Sequence, residues 1–127
     1  MIAKTIKTKI YWTVLNKAFW RLCRVFWLED SHIQKILELD DENFKIINEN
    51  KILPHTEKNQ AIVDKLLKIY YNLQFYYGNR RDIMSSYFHV KRQYFNNKTL
   101  IEYITEDSLI NFKLECILQY LKFNIWK

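Results

Sequence analysis

Residues 57–77 run EKNQAIVDKLLKIYYNLQFYY, the most regular pattern in the chain. Ile62, Leu66, Ile69 and Leu73 recur at three- and four-residue intervals and form one line along a helix, flanked by Val63, Leu67 and Tyr70. Thr56 precedes the run as an N-cap, with Asn59 as second choice. Gly78-Asn79 close it, a glycine C-cap followed by a residue that tolerates positive φ. A long amphipathic helix over Glu57–Tyr77 is therefore expected.

Working outward, the same spacing recurs on both sides. Upstream, Ile10, Val14, Ala18, Leu22 and Val25-Phe26 make a stripe over 10–26. Asp30 or Ser31 caps a short helix carrying Ile33, Ile36 and Leu37. Glu38-Leu39-Asp40 reads as a tight turn, and Asp40 caps a helix over Asp41–Glu49 with Phe44, Ile47 and Ile46 inward. The connection 48–56 holds the single proline, Pro54. Downstream, Arg80–His89 is helical, Lys91–Lys98 is a loop, and Thr99 caps Leu100–Ile104. Thr105 or Asp107 opens a last helix, Ser108–Phe123, with Leu109, Phe112, Cys116 and Tyr120-Leu121 as its stripe.

Composition supports helices throughout. At 127 residues the chain is one domain's worth, and 49% apolar with 17% aromatic residues is a globular mixture. One glycine and one proline leave too few turn residues for a sandwich or barrel, which needs them about every 8–12 positions. The fold class is all-α, a compact bundle of about six to seven helices. Cys23 and Cys116 lie in apolar-periodic stretches without metal-ligand spacing and read as small buried hydrophobes. No run of apolar residues is long enough to span a membrane, and Tyr11–Phe26 is interrupted by Asn16, Lys17, Arg21 and Arg24. A cytoplasmic location without membrane partners is expected.

The net charge of +6 is distributed in blocks. Residues 1–24 carry Lys4, Lys7, Lys9, Lys17, Arg21 and Arg24 and no acid; residues 25–50 carry seven acids against Lys35 and Lys45. An anionic partner would meet the ends of the chain, not its middle. The pair Ser31–Leu37 and Asp41–Glu49 has the spacing of a helix-turn-helix. Lys45, Asn48, Asn50 and Lys51 would reach a DNA backbone from it, but Asp40-Asp41-Glu42 stand where phosphate would approach. A solvated helix face is the favoured reading. The aromatic group Tyr70, Tyr71, Phe75, Tyr76 and Tyr77 sits on a helix with apolar neighbours, which suits core packing or a protein interface better than base stacking.

Nothing in the chain assembles a catalytic site: His32, His55 and His89 are scattered, and Asp40-Asp41-Glu42 and Glu106-Asp107 lie at helix starts, where acids complement the dipole. No cofactor and no metal is expected. The final residues, Phe123-Asn124-Ile125-Trp126-Lys127, put large apolar groups beyond the last helix. They either fold back onto the core or enter a pocket on a partner.

The order of elements over residues 18–127 resembles the Xre/ParS/MbcA-type antitoxins that pair with RES-domain toxins. Trp27-Leu28-Glu29-Asp30-Ser31-His32-Ile33-Gln34-Lys35-Ile36-Leu37 is similar to the family's opening helix-turn-helix stretch, and Leu66-Leu67-Lys68-Ile69-Tyr70-Tyr71-Asn72-Leu73 to its central helix. Tyr94-Phe95-Asn96-Asn97-Lys98-Thr99-Leu100-Ile101-Glu102 resembles its Phe-Gly-Gly-Lys-Ser/Thr-Pro-Leu-Glu signature, and Leu121-Lys122-Phe123-Asn124-Ile125-Trp126 its closing segment. Asn96, Asn97 and Asn124 stand where the family prefers glycine, and asparagine is the other residue that best accepts positive φ. Glu38 replaces the glycine of the helix-turn-helix, and Leu100 a proline.

The resemblance implies an N-terminal region, 1–56, with a degenerate helix-turn-helix, and a C-terminal toxin-binding region, 57–127, in one compact unit. It implies an antitoxin that blocks an NAD-consuming or ADP-ribosyl-transferring toxin, with Asn124, Ile125, Trp126 and Lys127 as the plug in the toxin's cleft. Lys91, Arg92 and Lys98 would flank the docking surface. The N-terminal half would form a homodimer, with Lys45, Asn48 and Lys51 left for weak DNA contact. Alternatives are a helix-turn-helix transcriptional regulator and a phage- or host-directed decoy that keeps only the docking half.

Overall fold

The computed structural model describes residues 2–78 and 80–125, with side chains described for 11–78 and 80–123. Among these residues the chain forms seven α-helices and two 3-10 turns and no strand: α1 Ile2–Val25, α2 Asp30–Ile36, α3 Asp41–Asn50, α4 Glu57–Tyr77, α5 Arg81–Ser86, turns at Tyr87–His89 and Gln93–Phe95, α6 Leu100–Thr105 and α7 Ile110–Ile125. The all-α bundle expected from the sequence is the fold. No helix among the described residues is long and apolar enough to cross a membrane.

α4 is the axis of the bundle. Ile62, Val63, Leu66, Ile69 and Leu73 are at most 1% exposed. Each such side chain contributes about 1.5–3 kcal/mol by leaving water, which is what fixes a helix of this amphipathic kind in place. Its ends follow the expected chemistry: Thr56 Oγ1 accepts from Asn59 N–H at 3.0 Å, and Gly78 takes φ 57° as the C-cap. Asn79, the second half of the expected stop, lies outside the described residues. α1 and α7 pack along α4. Trp12 of α1 stacks on His55 (4.5 Å between ring centres) just before α4, while Phe26 after α1 meets Tyr70 and Phe88. Lys65 donates to Asn111 Oδ1 (3.2 Å), which sets the start of α7 beside the first half of α4.

The two halves of the chain share this core. α2 packs on α6, and His89 Nε2 donates to the carbonyl of Phe26 at 2.8 Å. Asp40 caps α3 as expected, accepting Asn43 N–H at 2.8 Å. The expected N-cap of α2, Asp30 or Ser31, is instead Glu29, whose N–H donates to His32 Nδ1.

Two helices differ from expectation in phase or length. α1 extends back to Ile2, and its inward face is Leu15, Phe19, Leu22, Cys23 and Phe26, not the stripe through Val14, which is 59% exposed. The observed face contains two phenylalanines and buries more apolar area than the valine–alanine line would. α7 buries Ile110, Leu114, Ile117, Leu118 and Leu121, leaving Leu109 and Phe112 outside. In α3, Phe44 is buried and Ile47 half-buried, while Ile46 faces solvent. Cys23 is buried as expected and burial pushes its thiol up to about 12; Cys116, on the other face of α7, is only half-buried.

Candidate functional site

The segment between the second 3-10 turn and α6 is a tightly organised loop. Arg92 N–H donates to Lys98 O (3.1 Å), and Asn97 N–H donates back to Arg92 O (3.0 Å), so Arg92 and Lys98 form an antiparallel bridge. Closing so short a connection demands left-handed backbone, and Asn96 (φ 59°) and Asn97 (φ 61°) supply it. Phe95 anchors the loop, 4% exposed against the rings of Tyr103 and Tyr120. The loop runs straight into a capping box. Thr99 Oγ1 accepts from Glu102 N–H while Glu102 Oε1 accepts from Thr99 N–H, both at 3.0 Å, and these bonds hold the Glu102 carboxyl below its ordinary range.

Two of the three cations expected to flank a docking surface are committed to this loop. Arg92 lies over the Tyr87 ring (3.9 Å) and donates to Tyr87 O (3.3 Å); burial raises the Tyr87 phenol's pKa. Lys98 pairs with Glu106. Both therefore act within the chain. A partner's carboxylate would have to compete with these existing contacts. Lys91 is exposed, and Glu102 is the acid that feels its charge.

Beside the loop lies the outer face of α7. Leu109 (55% exposed), Phe112 (64%) and Phe123 (66%) share an arc with Cys116 and Tyr120, about 80° wide at roughly 100° per residue. Tyr94, 68% exposed on the loop, packs its ring 4.9 Å from Tyr120. Loop and helix thus present one aromatic and apolar surface on rigid elements. The expected tail starts later than the sequence suggested: Asn124 and Ile125 continue α7, so Asn124 stands in a helical turn and not at a left-handed stop. Helix propagation over an apolar strip that already extends to Leu121 and Phe123 accounts for the two added residues. Trp126 and Lys127, the other half of the expected plug, lie outside the described residues.

On the inner side of the same helix sits a residue that sequence reasoning missed. Lys113 is 5% exposed, and its ammonium donates to Glu106 Oε1 (2.6 Å), Asp107 Oδ2 (3.0 Å) and Tyr103 O (2.9 Å). Burial alone would depress its pKa, but the two carboxylates more than compensate and raise it. Glu106 is held below its ordinary value first by Lys113 and then by Lys98; Asp107 first by the Leu109 N–H and then by Lys113. The acids expected only to complement a helix dipole also clasp a buried lysine. The signal was present in the spacing Glu106-Asp107-x₅-Lys113, two acids just ahead of α7 and a lysine in its first turn, but lysine on a helix is ordinarily solvated.

The residues considered for DNA contact are not gathered for it. Lys45 faces solvent, but Asn48 donates to Asp30 (3.4 Å) and accepts from Lys51, whose ammonium lies 4.6 Å over Trp20. Lys51 caps α3 at φ 54°, and its carbonyl accepts from Asn16 (2.8 Å), tying α3 to α1. Asp41 receives Gln34 Nε2 at 2.7 Å and, with Asp40 and Glu42, keeps the start of α3 acidic. In the turn between α2 and α3, Glu38 takes left-handed backbone at φ 54°, and its carboxylate meets Lys58 at 2.9 Å.

His32 and His89, far apart in sequence, are neighbours with ring centres 6.4 Å apart, and burial followed by the neighbouring charges leaves the His32 pKa lowered. Of the aromatic group on α4, Tyr70 and Tyr77 pack on the core, whereas Tyr71 and Phe75 are exposed. Among the described residues no group of three or more His, Cys, Asp or Glu side chains is placed to hold a metal. Comparison with protein-family models, curated proteins and solved structures gives no match to the chain.

Proposed function

We propose that the chain is a protein-binding antitoxin of the Xre/ParS/MbcA kind, docking on a RES-type toxin in the cytoplasm and carrying out no chemistry itself. The observation that carries this reading is the surface made by Tyr94 and the outer face of α7, where Phe112 and Phe123 are both about two-thirds exposed. Contiguous apolar surface of this kind, spread over two adjoining elements, marks a place where another macromolecule binds. Large aromatic groups on preordered elements contribute most to such an interface.

The loop next to it supports the choice of family. Asn96 and Asn97 hold left-handed backbone and lead into the Thr99–Glu102 capping box, where the signature has two glycines and then Ser/Thr and Glu. On this reading α7, which continues through Asn124 and Ile125, leads from this surface, and Asn124, Ile125, Trp126 and Lys127 are proposed as the segment that enters the toxin's cleft. Lys91 is the cation left to meet acids on the toxin. DNA repression is not part of the proposal, since Asp40–Glu42 repel phosphate and Lys51 is held against Trp20.

The test is co-expression with a RES-domain toxin. Phe112→Glu with Phe123→Glu should abolish growth rescue and co-purification, while Ile52→Glu, equally exposed at 65% but outside the surface, should not. Full rescue by the double variant would refute the assignment of the surface. Removal of 124–127 asks separately whether the terminal residues act as the plug.

A further inference from the structure

Three arginines without partners line one groove between α1, α4 and α5. Arg21 and Arg24 come from α1 and Arg81 from the first turn of α5; Tyr70 and Gln74 of α4 form the opposite wall, and the groove holds about 530 Å³. None of the lining residues is acidic, and none of the three guanidinium groups makes an ion pair or hydrogen bond among the described residues. Like charges around a concavity raise its potential, because the low-dielectric walls focus the field. At its floor is Ser85, 7% exposed, whose hydroxyl has no hydrogen-bond partner among the described residues.

These features match one ligand chemistry. Guanidinium groups present paired donors that fit phosphate oxygens two at a time, and a serine hydroxyl adds a further donor at the floor. The groove is too large for a bare phosphate and falls in the size range of small-molecule sites. The half-buried Tyr70 ring and the Gln74 amide give an organic body something to lie against. We propose that this groove binds a nucleotide, its phosphate held by Arg21, Arg24, Arg81 and Ser85 and its nucleoside against Tyr70 and Gln74.

A second groove shares Arg21 and Arg24 and adds Lys17, Lys51 and Asp30, so it carries the same net charge but contains an acid that the first lacks. Lys17 lines only that groove and serves as the control. The full chain is titrated calorimetrically at low salt with AMP, ADP, inorganic phosphate and a short DNA duplex. AMP or ADP should bind one to one, with inorganic phosphate competing more weakly. Arg24→Gln with Arg81→Gln should weaken nucleotide binding at least about tenfold, Ser85→Ala less, and Lys17→Gln not at all. Unchanged thermal unfolding of these variants shows that a loss is not misfolding. The proposal is overturned if neither nucleotide gives heat, or if the double arginine variant binds as tightly as the parent. It is equally overturned if only the duplex binds and Lys17 matters as much as Arg81, which would indicate diffuse attraction of a phosphate backbone to α1.

Discussion

Glu38 is the sharpest place to test the backbone of the α2–α3 turn. At φ 54° its Cβ lies close to the following carbonyl, a conformation that costs a residue with a side chain about 1–2 kcal/mol. Glu38→Gly and Glu38→Ala both remove the carboxylate that meets Lys58, a partly exposed pair whose loss costs at most about 1 kcal/mol. The difference between the two variants therefore isolates the left-handed backbone. Glycine relieves the strain but has more freedom to lose on folding, roughly 0.5–1 kcal/mol. Set against each other, these ranges put the Gly variant above the Ala variant by at most about 1.5 kcal/mol, with a midpoint of about 0.75 kcal/mol. For 127 residues the unfolding entropy is roughly 0.27 kcal/mol/K, so each kcal/mol moves Tm by about 4 °C. The expected gap is about 3 °C by calorimetry, with the same order in urea midpoints. An alanine variant more stable than the glycine variant would mean that Glu38 is not left-handed in solution.

Other outcomes follow from the core and the buried lysine. Glu106 and Asp107 have depressed pKa values in the folded state, so their stabilisation is complete above the ordinary values of 4.5 and 3.8 and is lost as pH falls through the lower folded values. Urea midpoints should decline from about pH 5 downward, and Lys113→Met should flatten that decline by removing the main cause of the Glu106 shift; an unaltered slope would contradict the network. Leu66→Ala, at a position 1% exposed on the inward face of α4, should cost about 2–5 kcal/mol in urea unfolding; a loss below about 1 kcal/mol would put Leu66 outside the core. Burial raises the Cys23 thiol to about 12, whereas Cys116 is half-exposed, so a disulfide reagent should modify one thiol at once and the other only on unfolding. Two fast thiols would show that α1 does not cover Cys23.

Where local chemistry alone sets the structure, the sequence was a sufficient guide. Thr56, Asp40 and Thr99 cap the helices they precede because a side-chain oxygen three residues before a free N–H needs no tertiary context. Gly78, Asn96 and Asn97 take positive φ for a reason equally intrinsic to the residue. Glu38, Lys51 and Trp27 take it too, with nothing in their side chains to announce it; there the packing of α1, α2 and α3 imposes the conformation. Lys113 was hidden for a similar reason. Its partners Glu106 and Asp107 are local, but its burial depends on Tyr103 and α6 folding over it.

The phase of α7 carries the most functional meaning. Its sequence supports two apolar arcs: Ile110, Leu114, Ile117, Leu118 and Leu121 on one side, and Leu109, Phe112, Cys116, Tyr120 and Phe123 on the other. Periodicity registers that a helix is amphipathic but cannot rank two arcs of comparable width. α4 selects the first, since branched aliphatic side chains interdigitate with Ile62, Leu66 and Ile69 at close-packed density. The arc left outside is the aromatic one, and an ordinary surface helix would carry charge there instead. A helix with both faces apolar is suited to lie between two bodies, with α4 as the first. Among the described residues, Tyr94 and Phe95 of the asparagine loop pack on Tyr120, and Cys116 is half-buried. The remaining exposure of Leu109, Phe112 and Phe123 is thus the physical reason to look for the second body at this face.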